Sequence, residues 1–313
     1  MIGSCIINNI DIANWGMFII RGGDSDFLSF PDRKDPSSNN WKEYDGLDID
    51  LSEIFFNAKK VNVKFFIKAD TGDEFLYRLN SFYELISTPG TISLYSREFQ
   101  KTFQLRFISC PDYNHRGGMY KDGRKQGVLM VEFSMDNPLQ LFTNHNRLEP
   151  IGSGKRQLVE INGYDLGKFG IIVNECYNTI LKLPVIKSPL VQSFERATGL
   201  FPSIPSKNTF EAKQVIVDCT MRANSKDEFY QNYEALFNNL TKDEAIQLST
   251  FSSDSQAYYS SMQNFEKLKP FSNKVSVKFS LVLTIITPGL LQYLLGMEDI
   301  NFTITENDYF LSM

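Results

Sequence analysis

The sequence predicts an α+β fold, mainly β, built as two tandem copies of one β-sandwich unit with a single capped helix in each. The first observation behind this is a repeat. Asn8, Asp11, Gly16, Val61, Val63, Ala69, Asp73, Glu74, Phe75, Ile92 and Leu94 recur 154 positions later as Asn162, Asp165, Gly170, Val215, Val217, Ala223, Asp227, Glu228, Phe229, Ile246 and Leu248. A constant offset needs matched loop lengths as well as matched residue types, which chance apolar patterning rarely supplies. The second observation is the aromatic content: 26 Phe and 14 Tyr among 313 residues favour pleated, half-buried surfaces over helical bundles. The third is strict alternation, with Val61, Val63, Phe65 and Ile67 on one face and Asn62, Lys64 and Lys68 on the other. Val215, Val217, Cys219 and Met221 repeat it, and both runs read as strands with one buried side. A chain of this length suits two units of about 150 residues, each large enough for its own core. The expected organisation is a first copy at 1–142, a linker at 143–157, a second copy at 158–288 and a C-terminal extension at 289–313.

Each copy opens on a hairpin. In the second, Asn162-Gly163 follows Leu158-Val159-Glu160-Ile161, and Asn-Gly supplies the positive φ angles of a tight two-residue turn. Asn8-Asn9 holds that place in the first copy, because Asn tolerates left-handed geometry. An aromatic and a glycine then precede an apolar strand, as Trp15-Gly16-Met17 and Phe169-Gly170-Ile171. A long irregular stretch follows. It spans residues 21–60 in the first copy, and its counterpart holds Pro184, Pro189, Pro202 and Pro205. Stretches of this length without regular structure usually serve a purpose or stay mobile. They read as arms docking on neighbouring subunits, or as solvated loops around a short strand.

The alternating strands lead into helices through capping boxes, Thr71-Gly72-Asp73-Glu74 and Ser225-Lys226-Asp227-Glu228. Hydroxyl and carboxylate there satisfy the first free backbone amides. Phe75, Leu79, Phe82 and Ile86 form one apolar stripe, matched by Phe229, Tyr233, Leu236 and Leu240, enough to cover one face of a sheet. Closing strands follow at Phe103, Leu105 and Phe107 and at 129–135, with a Gly117-Gly118 turn between them, and again at 275–281. The linker contains Gly152-Ser153-Gly154-Lys155, whose glycine spacing is wrong for a phosphate loop.

Composition excludes several function classes. Net charge is −5 with Lys and Arg dispersed, so no basic stripe tracks a phosphate backbone. Cys5, Cys110, Cys176 and Cys219 have no CxxC spacing, and His115 and His145 are the only histidines; no standard zinc pattern fits, and no metal or other cofactor is expected. The cysteines read as free thiols in a reducing cytoplasm. The run at 275–297 is interrupted by Lys278, Pro288 and Gly289, short of a membrane span. Asp45, Asp48, Asp50 and Glu53 lack the order of a calcium loop and read as a solvated acidic arm. No serine sits in a nucleophile elbow, and no catalytic residue is assigned.

The pattern Asn162-Gly163-Tyr164-Asp165-Leu166-Gly167-Lys168-Phe169-Gly170-Ile171, continued through the Pro-containing arm, the strand at Val61, the single capped helix and a closing strand near Pro138, resembles the tube-forming domain of tailed-phage distal tail proteins. Order and spacing carry the match over about nine-tenths of the chain. The resemblance implies two tail-tube-like β-sandwiches and a structural component of the tail tip, baseplate or tail tube of a phage or prophage-derived apparatus. The expected location is the virion tail, assembled in the host bacterial cytoplasm. The family forms rings around the tube lumen, so the implied partners are further copies of the chain and the neighbouring tail tube and tail tip proteins. DNA passes through the lumen without specific binding, and no membrane is involved. Two units per chain imply a trimer with pseudo-sixfold symmetry, or else a hexamer. The second half repeats the first, where the usual distal tail protein has a galectin-like domain; carbohydrate contact by an appended domain is therefore not implied.

Ring closure is one way to remove the hazard of an open sheet edge, and the arms at residues 27–41 and 183–201 are the expected contacts between subunits. The candidates are Phe27, Phe30, Pro31 and Trp41 in the first arm and Leu183, Pro184 and Phe201 in the second, since buried aromatics dominate interface energetics; an intradomain core contact accounts equally for Trp41. Two readings compete with the ring protein. One is a carbohydrate- or host-surface-binding β-sandwich module, for which Tyr258-Tyr259 is the visible candidate. The other is a tail-tip enzyme, for which no paired carboxylate is visible.

Overall fold

The structure is a computed structural model, and it describes residues 3–116, 123–142, 149–189, 191–196, 198–199, 201–202, 208–241, 245–250, 253–272, 274–288, 302–304 and 310–312. Gly117-Gly118, His145, Pro205 and most of the C-terminal extension lie outside these residues, as does the side chain of Phe201.

The first half runs β1 (Cys5–Ile7), β2 (Ile10–Asp11), β3 (Met17–Ile19), β4 (Ser38–Asn39), β5 (Asp48–Ile49), β6 (Lys59–Ala69), α1 (Gly72–Ile86), β7 (Ile92–Ser96), β8 (Lys101–Arg116) and β9 (Lys125–Met135). The second runs β10 (Glu160–Ile161), β11 (Tyr164–Asp165), β12 (Ile171–Glu175), α2 (Tyr177–Ile180), β13 (Val191–Gln192), β14 (Phe201–Pro202), β15 (Lys213–Ala223), α3 (Lys226–Leu240), β16 (Ile246–Ser249), β17 (Asp254–Lys267) and β18 (Val275–Ile285). Each half forms a seven-stranded sheet, and the two orders correspond position by position: β2-β1-β7-β8-β9-β6-β3 and β11-β10-β16-β17-β18-β15-β12. All pairings are antiparallel. The mainly β, α+β class read from the sequence is the class observed.

The long strand β8 joins two layers. Residues 101–105 pair with β7, and the stretch from Arg106 onward pairs with β9, with register shifts at Phe107/Ser109 and Ser109/Asp112. Bulges of this kind bend a strand and re-aim its side chains. The two ends of the sheet then meet, where the Ile19 amide donates to Ser4 Oγ at 2.7 Å. In the second half the Val173 amide donates to Gln157 Oε1 at 3.0 Å.

Local chemistry explains why both halves fold alike. Asn8 and Asn9 have φ of 45° and 67°, and Asn162 and Gly163 have 52° and 78°, so both hairpins use two left-handed residues in succession. The turn asparagine also ties the hairpin to the next strand. Asn8 Oδ1 accepts from the Ser93 amide at 2.8 Å, and Asn162 Oδ1 accepts from the Gln247 amide at 2.9 Å. Asp11 and Asp165 cap the following 3-10 turns through the Ala13 and Gly167 amides. Thr71 and Ser225 accept from the amides of Glu74 and Glu228, whose carboxylates reach back to the amides of Asp70 and Asn224. Both capping boxes form.

The glycines of the segment between the halves serve close packing. A side chain on Gly152 would strike the backbone of Lys168 and Gly170, and one on Gly154 would strike Gly167. These glycines let the segment lie directly on the second half.

Candidate assembly interface

The arms are positioned by a lysine at the start of each central strand, buried at Lys59 and partly buried at Lys213. Lys59 Nζ donates to the carbonyls of Phe27 (2.9 Å) and Ser29 (2.5 Å). Its twin, Lys213 Nζ, donates to the carbonyls of Ile180 (2.5 Å) and Lys182. Burial lowers both ammonium groups, Lys59 to about 7. Each arm then makes one antiparallel bridge back to the strand approach, Arg33 with Phe56 and Ile186 with Phe210. The contacts therefore set a correspondence along the arms: Phe27 with Ile180, Phe30 with Leu183, Pro31 with Pro184, and Arg33 with Ile186.

The first arm crosses onto the second half of the same chain. Phe30 lies with ring centroids 4.4 Å from Tyr233, 4.9 Å from Phe237 and 5.5 Å from Phe142. Phe142 itself stacks on Phe237 at 3.9 Å. The Tyr233 hydroxyl donates to the Leu28 carbonyl, and the Tyr259 hydroxyl donates to the Pro31 carbonyl at 3.1 Å. Burial pushes both phenols far up, so they remain protonated donors. The Arg33 amide extends the contact by donating to the Ser260 carbonyl on β17 at 2.9 Å. Further along, the amides of Gly46 and Leu47 donate to Phe210 and Ile286, and Lys187 Nζ donates to the carbonyls of Trp41 and Gly46.

A polar cluster closes the other side of this seam. Lys267 Nζ stands 2.5 Å from Asp24 Oδ1 and 2.9 Å from Glu98 Oε2. The Tyr230 hydroxyl donates to the Phe99 carbonyl, and Lys226 Nζ donates to the Glu98 carbonyl. α3 is in consequence packed on both sides, against its own sheet and against the first half. Its twin α1 is covered on one side only, and Leu76 and Tyr77 are 56% and 71% exposed.

The candidate residues sort accordingly. Phe27 and Phe30, two of the candidates for contacts between subunits, are fully buried inside the chain, and Pro31 is buried with them. Phe27 packs on Phe99 and Phe103 of the first half, whereas Phe30 and Pro31 lie against Tyr233, Phe237 and Tyr259 of the second. Trp41 is half exposed, with its indole N–H 3.3 Å from Asp48 Oδ2. Pro184 is buried while Leu183 is 60% exposed. Phe201 pairs through its backbone with Gln192. Sequence reasoning missed the outer face of α3. The available signal was the presence of Tyr230, Ala235 and Phe237 in addition to the sheet-facing stripe.

The acidic run is solvated as expected at Asp48, Asp50 and Glu53, which are exposed, and Asp45 is partly buried; three of the four also accept hydrogen bonds. Asp45 accepts from the Phe210 amide, Asp48 from Trp41, and Asp50 from the Ser52 amide. Tyr258 and Tyr259 are buried beneath the first arm, with the Arg33 guanidinium 5.4 Å from the Tyr258 ring; they present no aromatic platform to a sugar. An open cleft lined by Lys155, Arg222, Glu228, Lys269 and Lys274 among others holds one carboxylate, and that carboxylate caps α3. Among the described residues there is no group of three His, Cys, Asp or Glu placed to hold a metal ion, and no helix long and apolar enough to cross a membrane.

No family model matches the chain, and no curated protein matches it. Among solved structures, the chain is similar to the crystal structure of the SPP1 Dit protein, described as a paradigm of the hub adsorption apparatus in phages infecting Gram-positive bacteria. Identity is 9%, the match covers 90% of this chain and 98% of that one, and the TM-score is 0.33.

Proposed function

We propose that this chain is a structural subunit of the tail tip or baseplate of a tailed phage or prophage-derived apparatus, and that it forms a ring around the tail lumen through sheet and arm contacts between copies. In this reading residues 1–142 and 158–288 are the ring units, 143–157 joins them and 289–313 is an extension toward a neighbouring tail layer. The partners are further copies of the chain, as a trimer with pseudo-sixfold symmetry, and the adjoining tail tube and tail tip proteins. DNA crosses the lumen without specific contacts.

One observation carries the reading. Two units of the same strand order meet head to tail within one chain, the arm of the first lying on a strand and helix of the second. A heterologous contact between like units uses different surfaces on its two sides, so each unit is left with one unmatched surface. Repetition of such a contact between chains gives a closed ring if the rotation closes and a filament if it does not. The long duplicated β architecture, with its chemistry spent on caps, turns and the seam, fits an assembly role; the resemblance in motif order to tail-tube domains supplies its setting.

Electron microscopy of the purified chain, alongside its mass in solution, tests the proposal. Annular particles with a central hole and a mass of three chains are expected. A monomer at all concentrations, with or without the adjoining tail proteins, overturns it.

A further inference from the structure

We propose that the outward face of α1, together with the open edge of β8 beside it, is the docking site for the second arm, residues 180–186, of another copy of this chain. The proposal rests on the ring reading above and specifies which surfaces make the ring. The seam inside the chain is its template.

Within the chain, the first arm places Phe30 against Tyr233 and Phe237 of α3, and Tyr230 reaches the Phe99 carbonyl. The positions of α1 that correspond to Tyr230, Tyr233 and Phe237 are Leu76, Leu79 and Tyr83. Of these, Leu76 is 56% exposed and Tyr83 partly so, while Leu79 is buried beneath them. On the other side of the proposed contact, the arm residue corresponding to Phe30 is Leu183. It stands in a run where Leu181, Leu183, Val185 and Ile186 are all exposed, Val185 to 68%. A short run of exposed apolar side chains on one arm, facing no partner, is the composition of an interface and not of a solvated loop.

The backbone supports the same pairing. The Arg33 amide donates to Ser260, the residue looped out of register between Tyr259 and Ser261 on β17. The corresponding residue of β8 is Ile108, looped out between Phe107 and Ser109, and it is exposed. The amide corresponding to Arg33 is that of Ile186. Its neighbours bond inward, Lys187 to Thr209 and Glu211 to Val185, so the Ile186 amide points away from that bridge. No described residue accepts from it. An unpaired strand edge and an outward amide at corresponding positions are the two halves of one hydrogen bond, the usual means of sheet addition. The occupant is a second copy because the arm that fits is this chain's own, and its own α1 lies in the other half.

The test uses the full chain with Cys110→Ser as background, leaving the three buried cysteines in place. Asn80→Cys, on the exposed face of α1, and Leu183→Cys are made as separate variants, mixed, and treated with a short bis-maleimide. Covalent dimers are expected in the mixture and not from either variant alone, and the Asn80→Cys/Leu183→Cys double variant should give a ladder. Leu76→Asp, added to the Asn80→Cys variant, should abolish the cross-link and the assembly while leaving circular dichroism unchanged. Annular particles that give no cross-link in the mixture overturn this interface and leave the ring reading standing. A persistent monomer with no cross-link overturns both.

Discussion

Lys267 and Asp24 form an ion pair of 2.5 Å between the two halves, with both side chains only 4% exposed. Burial raises the Asp24 carboxyl above the usual carboxylate range, against the pull of Lys267. Removing one partner of a buried pair strands the other charge, at a cost of about 3–5 kcal/mol, whereas replacing both is often close to neutral. Lys267→Met should therefore be strongly destabilising at pH 7. In that variant the folded state holds the Asp24 proton more tightly than the unfolded state does, so its stability rises as pH falls. Urea denaturation at pH 7 and pH 5 checks this, and the Asp24→Leu/Lys267→Met double variant should recover most of the loss.

Phe30 and Leu183 occupy corresponding arm positions in opposite environments. Phe30→Ala empties a fully packed aromatic site and should cost about 3–5 kcal/mol. Leu183→Ala trims an exposed side chain and should stay within about 0.5 kcal/mol in the monomer. Equal effects in a chemical denaturation series would contradict the asymmetry of the two arms.

Lys59 makes stability depend on alkaline pH. Its ammonium titrates at about 7 in the folded chain, against an ordinary lysine value of 10.5, so between those values the unfolded chain holds a proton that the folded chain does not. Stability contributed by this group then rises with pH across that window, by up to about 1.4 kcal/mol per pH unit. It is lost as pH falls back across the same window and levels off below the folded value. Lys59→Met should flatten the slope relative to wild type in denaturation curves taken from pH 7 to 10; parallel slopes would rule the lysine out as its source.

Thr71 and Ser225 cap α1 and α3 with the same geometry in the two halves. Thr71→Ala and Ser225→Ala should each cost about 1 kcal/mol. The sites lie on different helices and share no partner, so the double variant should be additive within about 0.5 kcal/mol, as read from shifts in the denaturation midpoint at constant slope.

Much of the local structure was legible in the residues. The hairpin at Asn162-Gly163, the alternation at Val61 and Val215, and the two capping boxes all act within a few residues, and local sterics and hydrogen bonding decide them. The structure within the arms was harder to read. Their short strands and bridges, such as Arg33 with Phe56, depend on pairings that no periodicity announces. The aromatic content of the first arm marks it as a contact segment but not which surface it meets: Phe30 packs on Tyr233 and Phe237 of the second half, and Phe27 on Phe99 and Phe103 of the first.

By itself the sequence determined the duplicated α+β unit, its turns, its strands and its helix starts, because these follow from spacing and side-chain chemistry near in the chain. Only the tertiary structure decided which arm is covered. Phe30 and Leu183 carry the same kind of apolar signal. What separates them is that Tyr233, Phe237 and Tyr259, more than two hundred residues from Phe30, pack or hydrogen-bond against the first arm, while Leu183 on the second is left exposed. Burial is a property of the space around a side chain, and that space is filled by residues far away along the chain.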